Sequence, residues 1–224
     1  HSADSVYKAS KLIVEYGFKL GHQIMIGLPT DTYGKSLYTA REIIKMNPFC
    51  VRIYPTLVIK DTYLEKLYLE KKYVPLSLEE GVDISTDLLM MFNHNNISVI
   101  RVGLQPTKNI NTGADVIAGP FHPSFRQLVE SNVYKIVLEE YFSQFNLNNI
   151  NELIFEIDNS EISNLVGQSS SNTKWLKEKY GFGNVKVYGK SQSKDLIYVK
   201  WNGYFDRIDK REFEEKSLYK KDLL

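Results

Sequence analysis

Hydrophobic residues recur at helical spacing in three segments of the first 104 positions, and a short extended run follows each segment. Each run ends in a loop that contains proline or glycine, as strand ends commonly do. This alternation predicts parallel strands joined by helical crossovers. Three such units do not close a barrel, so we expect an open half of a TIM-type barrel. The predicted strands are Lys19–Leu28, Cys50–Tyr54 and Ser98–Leu104, and the helices lie near residues 6–16, 37–44 and 77–93.

The pattern changes after about residue 150. It predicts a strand, two helices joined by a short turn, two further strands and a charged final helix, in the order β-α-α-β-β-α. A connecting helix near Tyr134–Phe145 and an Asn-rich linker precede this part. We therefore divide the chain into an α/β domain over residues 1–130, a connector over 131–151 and a small α+β domain over 152–224.

Polar side chains occupy one face of the three predicted parallel strands. Because side chains alternate across a strand, Ile100 and Val102 are expected on the apolar face. Arginines are costly to bury in a covered sheet without a partner, so finding them in two strands predicts a shared polar cavity. The alternative is an open sheet whose polar face is in water. The polar face carries Gln23, Arg52, Tyr54, Arg101 and Gln105, with Gly27 and Gly103, which would let a ligand approach the backbone.

The overall composition limits the classes of function. Lys and Arg number 28 against 27 Asp and Glu, so no global field favours nucleic acid or a membrane surface. No apolar run approaches the roughly 20 residues that span a bilayer, so we expect no membrane partner. The single cysteine, Cys50, excludes a disulfide framework or a cysteine cluster within this chain and favours a reducing, cytoplasmic compartment. The edge of an incomplete sheet would also allow pairing with a second copy.

Five segments of the first 126 residues together resemble radical S-adenosylmethionine (SAM) enzymes of the Elongator-catalytic-subunit type, in their short bacterial form. The segments are Gly21–Pro29, Val51–Lys60, Pro75–Glu80, Ile100–Gln105 and Ala118–Arg126. The resemblance covers about residues 1–130. It implies a partial TIM-type barrel that binds SAM and a [4Fe–4S] cluster, with a wobble uridine of tRNA as the substrate.

The resemblance also implies roles for individual residues. Gln23 and Met25 would lie beside SAM, and Lys60, on the loop after the second strand, would contact the substrate. Arginine can bind the methionyl carboxylate through two hydrogen bonds. His122, in a loop flanked by prolines, is expected to be structural. The other residues implied to line the pocket are Arg52, Tyr54, Arg101 and Gln105.

Two departures from the family pattern change what this chain alone is expected to do. The family's three-cysteine motif would fall upstream of His1, so we expect the chain to need the missing amino-terminal half of the barrel as a partner and to bind no cofactor by itself. The acetyltransferase domain of full Elongator subunits has no counterpart either, so the resemblance does not imply acetyl-CoA chemistry.

The order β-α-α-β-β-α matches a type I KH domain, in which a Gly-x-x-Gly loop between two helices clamps the RNA backbone. Gly167 occupies the first glycine position, but Ser170 occupies the second and would hinder close approach of a phosphate. Seven lysines against two acidic residues over positions 171–200 favour phosphate binding. Acidic residues that flank this window cancel most of its charge: Glu152, Glu156, Asp158, Glu161 and those between Asp206 and Glu215. The alternative is a solvated domain with a structural or docking role. The candidate RNA-binding residues are Gly167, Gln168, Ser169, Lys174 and Lys177.

Three functions remain open on the sequence. The first is a parent radical SAM enzyme that modifies a tRNA-like RNA by 5′-deoxyadenosyl radical chemistry, with the KH-like tail helping to hold the RNA. The second is a radical SAM enzyme with a small-molecule substrate, similar to oxygen-independent coproporphyrinogen oxidase. The third is a non-enzymatic module that binds RNA or protein. The KH-like tail favours the first over the second.

Overall fold

The computed structural model describes residues 2–104, 115–147 and 150–224. The chain forms two compact units, one up to Arg126 and the other from Gln127 to Leu224. Within the described ranges, no helix combines the length and the apolar character needed to cross a membrane.

The first unit alternates helices and strands as the hydrophobic pattern predicts. Polar side chains fix where its helices begin: Thr32 caps α2, and Ser77 with Glu80 forms a capping box at the start of α4. The elements are α1 Ala3–Glu15, β1 Gly21–Ile26, α2 Tyr33–Lys45, β2 Cys50–Pro55, β3 Val58–Ile59, α3 Tyr63–Leu69, α4 Leu78–His94, β4 Ser98–Val102 and β5 Val116–Ala118.

Strands β1, β2 and β4 form a parallel sheet in that order, which confirms the predicted strand direction. Helices α2 and α4 contact its strands. The side chains of Ile24, Ile53 and Val102 are buried, because alternate positions of each strand project to the covered face. The opposite face carries Gln23, Arg52 and Arg101, three of the polar residues that the sequence predicts there.

A β-bulge in β4 decides which of its side chains face outward. Val51 pairs with Val99, but the next residue, Arg52, pairs with Arg101, so Ile100 is the extra residue. Ile100 is exposed, whereas its neighbours in the apolar pattern, Val99 and Val102, are buried. The prediction that Ile100 lies on the apolar face is therefore wrong, because the bulge interrupts the alternation.

Three short elements of the first unit do not appear in the sequence prediction. Strand β3 follows β2 directly, pairs antiparallel with β5 and forms a separate two-stranded sheet. Helix α3 follows β3, with Thr62 as its amino-terminal cap. Two and three residues are too few for a hydrophobic period to mark the strands.

The second unit packs helices against a four-stranded mixed sheet of order β7-β6-β8-β9. Strand β6 is parallel to β7 and antiparallel to β8, and β8 and β9 form an antiparallel hairpin. Helix α5 begins in the last residues of the first unit. The elements are α5 Phe125–Phe142, β6 Glu152–Asp158, α6 Ile162–Val166, α7 Ser171–Tyr180, β7 Asn184–Lys190, β8 Leu196–Trp201, β9 Tyr204–Asp209 and α8 Lys210–Lys220.

The second unit contains one strand more than the predicted order. The segment Tyr204–Asp209, expected to lead from a loop into the final helix, is strand β9, so the observed order is β-α-α-β-β-β-α. The turn between β8 and β9 is Asn202-Gly203, with φ angles of 45° and 80°. Positive φ at both central residues is the hairpin geometry that Asn-Gly favours.

The core of the second unit is rich in aromatic rings. Helix α5 contributes Tyr141 and Phe142, whose rings contact Phe155 of β6, Trp201 of β8 and Phe213 of α8. The predicted connector is therefore part of the core: the helix that the sequence places near residues 134–145 begins at Phe125 and buries one side in the second unit.

Candidate cofactor site and RNA-contact residues

Five of the six predicted pocket residues lie on or beside the outward face of the first sheet. Gln23, Arg52 and Arg101 are neighbours in register across the three strands, and Met25 is opposite Tyr54. The bulge at Ile100 is what brings Arg101 beside Arg52, because a regular strand would have put Ile100 there. The sixth residue, Gln105, lies outside the described residues.

The two arginines are close in the sheet and lack a counter-charge. Arg101 donates one hydrogen bond, from Nη1 to the hydroxyl oxygen of Tyr54 at 3.4 Å. Among the residues that the structure describes, neither guanidinium has a carboxylate partner. Like charges opposite each other in a sheet are destabilising, so an anion bound here would be favourable. Arg52 is exposed and Arg101 half-buried, which leaves both accessible.

A cavity of about 260 Å³ lies at the carboxyl end of β4. Arg101 lines it, together with Phe125 and Arg126, which the sequence analysis did not assign a role. Arg126 donates from Nη1 to the carbonyl oxygen of Val99 at 3.2 Å, which satisfies backbone at the edge strand. The signal for both residues was in the sequence, since they end the resembling segment at residues 118–126.

The strand-end glycines have a packing role that differs from the predicted one. Gly27 and Gly103 have φ angles of 74° and 78°, which favour glycine. A Cβ at Gly27 would lie 2.7 Å from Leu76, and one at Gly103 would lie 2.8 Å from Phe125. The sequence predicts that these positions leave room for a ligand. That prediction is wrong for the space where a Cβ would lie, because the side chains of Leu76 and Phe125 fill it.

The loop after β1 is held by a carboxylate and a tyrosine. Asp31 accepts hydrogen bonds from the Gly27 backbone N–H at 2.9 Å and the Ser36 hydroxyl at 3.0 Å. The Tyr73 hydroxyl donates to the Gly27 carbonyl oxygen at 2.5 Å. Burial, and then the nearby Asp31 charge, raises the pKa of Tyr73, so this hydroxyl remains a donor. The carboxyl end of β1 is thus fixed beside the polar face.

Lys60 and His122 lie outside the three strands that carry the row of polar side chains. Lys60 is exposed at the end of β3, in the two-stranded sheet, and its backbone N–H donates to the Asp115 carbonyl oxygen at 2.8 Å. The contacts described for it do not join it to Arg52 or Arg101. His122 accepts at Nδ1 from the Ser124 backbone N–H at 3.0 Å, in keeping with the structural role expected for it.

The residues present fit one of the two cofactors that the resemblance implies and not the other. A guanidinium pair suits the carboxylate of SAM. An iron–sulfur cluster needs several thiolates, and Cys50 is the one cysteine of the sequence. The part of the chain that the structure describes also has no group of three or more His, Cys, Asp or Glu side chains suited to a metal ion.

The predicted RNA-contact loop of the second unit has an unusual backbone. Gly167 has a φ of 77°, and a Cβ there would lie 2.9 Å from the Asn172 backbone nitrogen. Ser169 and Ser170 also have positive φ, at 52° and 62°. Helix α7 starts directly after this loop.

Ion pairs reduce the basic surface that the sequence predicts after residue 170. Of the seven lysines, Lys174 and Lys177 on α7 are exposed and have no described carboxylate partner. The positive charge available near the loop therefore comes from these two. The other five form ion pairs: Lys179–Glu139, Lys186–Glu152, Lys190–Glu156, Lys194–Glu161 and Lys200–Glu156.

Comparison with protein families identifies the middle of the chain. Residues 48–135 match the radical SAM C-terminal domain family. This match covers 88 of the 224 residues of the chain. The matched residues include β2 and β4, and therefore Arg52, Tyr54 and Arg101. Gln23 and Met25 lie before the matched residues.

Curated proteins similar to the chain include tRNA-modifying enzymes. A tRNA uridine(34) acetyltransferase of Dehalococcoides mccartyi is 35% identical over 78 residues, which are 34% of this chain and 17% of that enzyme. A protein of the same name from Methanocaldococcus jannaschii is 30% identical over 87 residues, 38% of this chain and 16% of that enzyme. An uncharacterized protein of M. jannaschii is 28% identical over 89 residues, 40% of this chain and 28% of that protein. The match thus spans less than a third of each relative.

A solved structure is also similar. Elp3 of the archaeon Methanocaldococcus infernus, with residues 1–46 deleted, aligns with 92% of this chain and 45% of its own at 16% sequence identity, with a TM-score of 0.48.

Proposed function

We propose that the chain supplies the carboxyl-terminal half of a radical SAM barrel and that its polar sheet face binds SAM. The observation that carries the proposal is the guanidinium pair of Arg52 and Arg101, in register on adjacent strands and without a carboxylate among the described residues. The methionyl carboxylate of SAM would reduce the repulsion within this pair and accept charge-assisted hydrogen bonds from it. Gln23, Met25 and Tyr54, on the same sheet, would complete the site, with Gln105 as a further candidate.

The match of residues 48–135 to the radical SAM C-terminal domain family supports the carboxylate of SAM as the anionic group bound here. When bound, SAM would supply the 5′-deoxyadenosyl group for radical chemistry. The cluster that this chemistry needs would be held by a three-cysteine motif elsewhere in the protein, in the amino-terminal half of the barrel. Helix α1 offers that half an apolar surface, because Val6, Leu12, Ile13 and Tyr16 are exposed.

The substrate we propose is a tRNA-like RNA. The names of the tRNA uridine(34) acetyltransferases support RNA over a small molecule. Lys60 would contact the RNA near the barrel. The RNA backbone would be contacted in a KH-like manner by the loop residues Gly167, Gln168 and Ser169 and by the exposed Lys174 and Lys177. The extra strand β9 departs from the type I order.

The decisive experiment measures SAM binding and cleavage in the protein that carries this chain together with the cysteine motif. Arg52→Ala and Arg101→Ala are each expected to weaken SAM binding by about 10- to 100-fold, because each removes charge-assisted hydrogen bonds worth about 1.5–3 kcal/mol. Equilibrium dialysis with labelled SAM measures binding, and chromatography of 5′-deoxyadenosine measures cleavage. The cluster absorbance should stay unchanged.

Arg41→Ala is the matched control, since Arg41 is an exposed arginine of α2. It should leave SAM affinity unaltered. If both sheet variants bind and cleave SAM as the control does, the polar face is not the SAM site and the proposal fails.

A further inference from the structure

The outward face of the four-stranded sheet β7-β6-β8-β9, called the second sheet from here on, carries exposed aromatic rings. On the inward face, Leu153, Phe155 and Ile157 of β6 are buried, and the ring of Phe142 from α5 packs against Phe155. The outward positions of the neighbouring strands include Tyr188 of β7, which is 50% exposed, and Phe205 of β9, which is 57% exposed. Helix packing therefore uses one face of this sheet and leaves rings in water on the other.

Rings and cations alternate across the β8–β9 ladder. Tyr198 pairs with Arg207, and Lys200 pairs with Phe205. The two rings, on the diagonal of this square, stack with centroids 5.7 Å apart and planes 8° apart. The Lys200 ammonium lies 5.3 Å from the Phe205 centroid. The ladder thus holds two parallel rings next to two cations, so little ordering would be needed when a flat ligand binds.

Cations and carboxylates are mixed on this face, and two of the cations flank the stacked rings. Lys190 and Lys200 share one carboxylate, that of Glu156. The guanidinium of Arg207 is exposed and has no carboxylate partner in the described part of the unit. Lys200 and Arg207 are therefore the cations beside the stacked rings, and each could contact a phosphate of a bound strand.

A depression of about 400 Å³ adjoins the same rings. Ile154, Lys200 and Phe205 line it from the outward face, and Trp201 and Tyr204 line it from the hairpin. An apolar floor, an aromatic wall and an ammonium group are the contacts that an unstacked nucleobase makes in single-strand binding proteins.

We propose that this face, defined by Tyr188, Tyr198, Lys200, Phe205 and Arg207, binds single-stranded RNA by stacking bases on its rings. Charged residues separate the rings, so the face lacks the continuous apolar patch that favours a protein partner. Bases within a duplex are unavailable for stacking, so single strands and loops are the expected ligands. The choice of RNA rests on the proposed function, but this surface is separate from both the arginine pair and the loop at Gly167.

The test is fluorescence anisotropy with the 224-residue chain and a fluorescein-labelled single-stranded RNA of about 12 nucleotides. Phe205→Ala and Tyr188→Ala are each expected to weaken binding about fivefold or more, because each removes a stacking ring. Phe205→Trp should retain affinity. Tyr219→Ala is the matched control, since Tyr219 is 65% exposed on α8, and it should bind as the unaltered chain does. A double-stranded RNA of the same length should compete poorly.

A double variant separates this proposal from the proposed function. The protein that carries both Lys174→Glu and Lys177→Glu tests RNA binding by the loop at Gly167. Unchanged affinity in both ring variants, with circular dichroism showing intact folding, overturns the stacking proposal, whether or not the lysine variant weakens binding. Absence of RNA binding by the unaltered chain overturns it as well. SAM binding by the arginine pair is measured separately and does not depend on either result.

Discussion

The parallel sheet of the first unit and the four-stranded sheet of the second unit both present cations on an outward face, but the charges around these cations differ. In the first sheet, Arg52 and Arg101 lie side by side without a carboxylate in the described residues. In the second, Lys190 and Lys200 flank Glu156 and form ion pairs with it. The first face is therefore electrostatically incomplete and calls for an anionic ligand. The second is largely balanced, so recognition there would depend more on its rings than on charge.

The carboxyl end of β4 and the β8–β9 hairpin differ in how closely side chains pack against a glycine. At the carboxyl end of β4, Gly103 packs against Phe125, which fills the space beside its Cα. At the β8–β9 hairpin, Gly203 has nearly the same φ, 80° against 78°, and nothing within 4 Å of a Cβ. The space beside Gly103 is filled by the chain's own side chain, and the space beside Gly203 is open. Equal backbone conformations therefore carry unequal packing constraints.

The largest effect we predict comes from placing alanine at these two glycines. Gly203→Ala should cost only the strain of a positive φ, about 1–2 kcal/mol. Gly103→Ala adds an overlap with Phe125 that costs about 1–3 kcal/mol more, for a total of about 2–5 kcal/mol. Hydrogen exchange of the β2 and β4 amides measures the loss of stability in Gly103→Ala. Fluorescence of Trp175 and Trp201, both in the second unit, measures the loss in Gly203→Ala.

Equal losses in the two variants would contradict this comparison. They would mean that Phe125 moves aside without cost and that the carboxyl end of β4 is as open as the hairpin. Gly17→Ala, also at positive φ and without neighbours within 4 Å, provides a strain-only control within the first unit.

Removing one cation from each sheet should change stability in opposite directions. Arg52→Gln relieves repulsion with Arg101 and is expected to stabilise the ligand-free chain by a few tenths of a kcal/mol. Lys200→Gln removes one of the two partners of Glu156 and should destabilise by about 0.2–1 kcal/mol. Urea unfolding at low salt measures both, and added salt should shrink both differences. A destabilised Arg52→Gln variant would show that the first sheet already supplies a counter-charge.

The sequence predicts the long periodic elements of the first unit and the polar face, because alternation marks Gln23, Arg52 and Arg101. It does not predict the bulge at Ile100, because a bulge leaves no period in an apolar run such as Ser98–Val102. Strict alternation happened to place Arg101 correctly while misplacing Ile100. Phe125 as the neighbour of Gly103 is a long-range contact, which local patterns do not contain.

In the second unit the sequence predicts all four helices, α5 only in its second half, and three of the four strands but not β9. Strand β9 carries Asp206, Arg207 and Asp209, and these charges resemble the start of the charged helix that follows. The acidic residues that flank the predicted basic window do cancel much of its charge. Five of its seven lysines pair with Glu152, Glu156 and Glu161, which flank it in sequence, or with Glu139 of α5, which the sequence analysis does not single out. Charge balance on a surface depends on strand pairing that composition does not show.

The smallest predicted effect is a pH dependence that belongs to the second sheet alone. Hydrogen bonds from Lys190 and then Lys200 lower the pKa of Glu156 from its ordinary 4.5. A carboxylate with a lowered folded-state pKa adds stability at pH values above its unfolded-state pKa, and that stability is lost as the pH falls through the folded-state value. Because the side chains are partly exposed, the contribution should be below about 1 kcal/mol.

Glu156→Gln should therefore be less stable than the unaltered chain at neutral pH, and the two urea midpoints should converge in acid, below about pH 4. Tryptophan fluorescence measures the midpoints in the unit that contains Glu156. Glu178→Gln is the control, because Glu178 on α7 is exposed and has no described lysine partner, and its midpoint should follow that of the unaltered chain. If the Glu156→Gln difference persists unchanged in acid, the carboxylate acts through packing rather than charge, and the electrostatic contrast between the two sheets loses its basis.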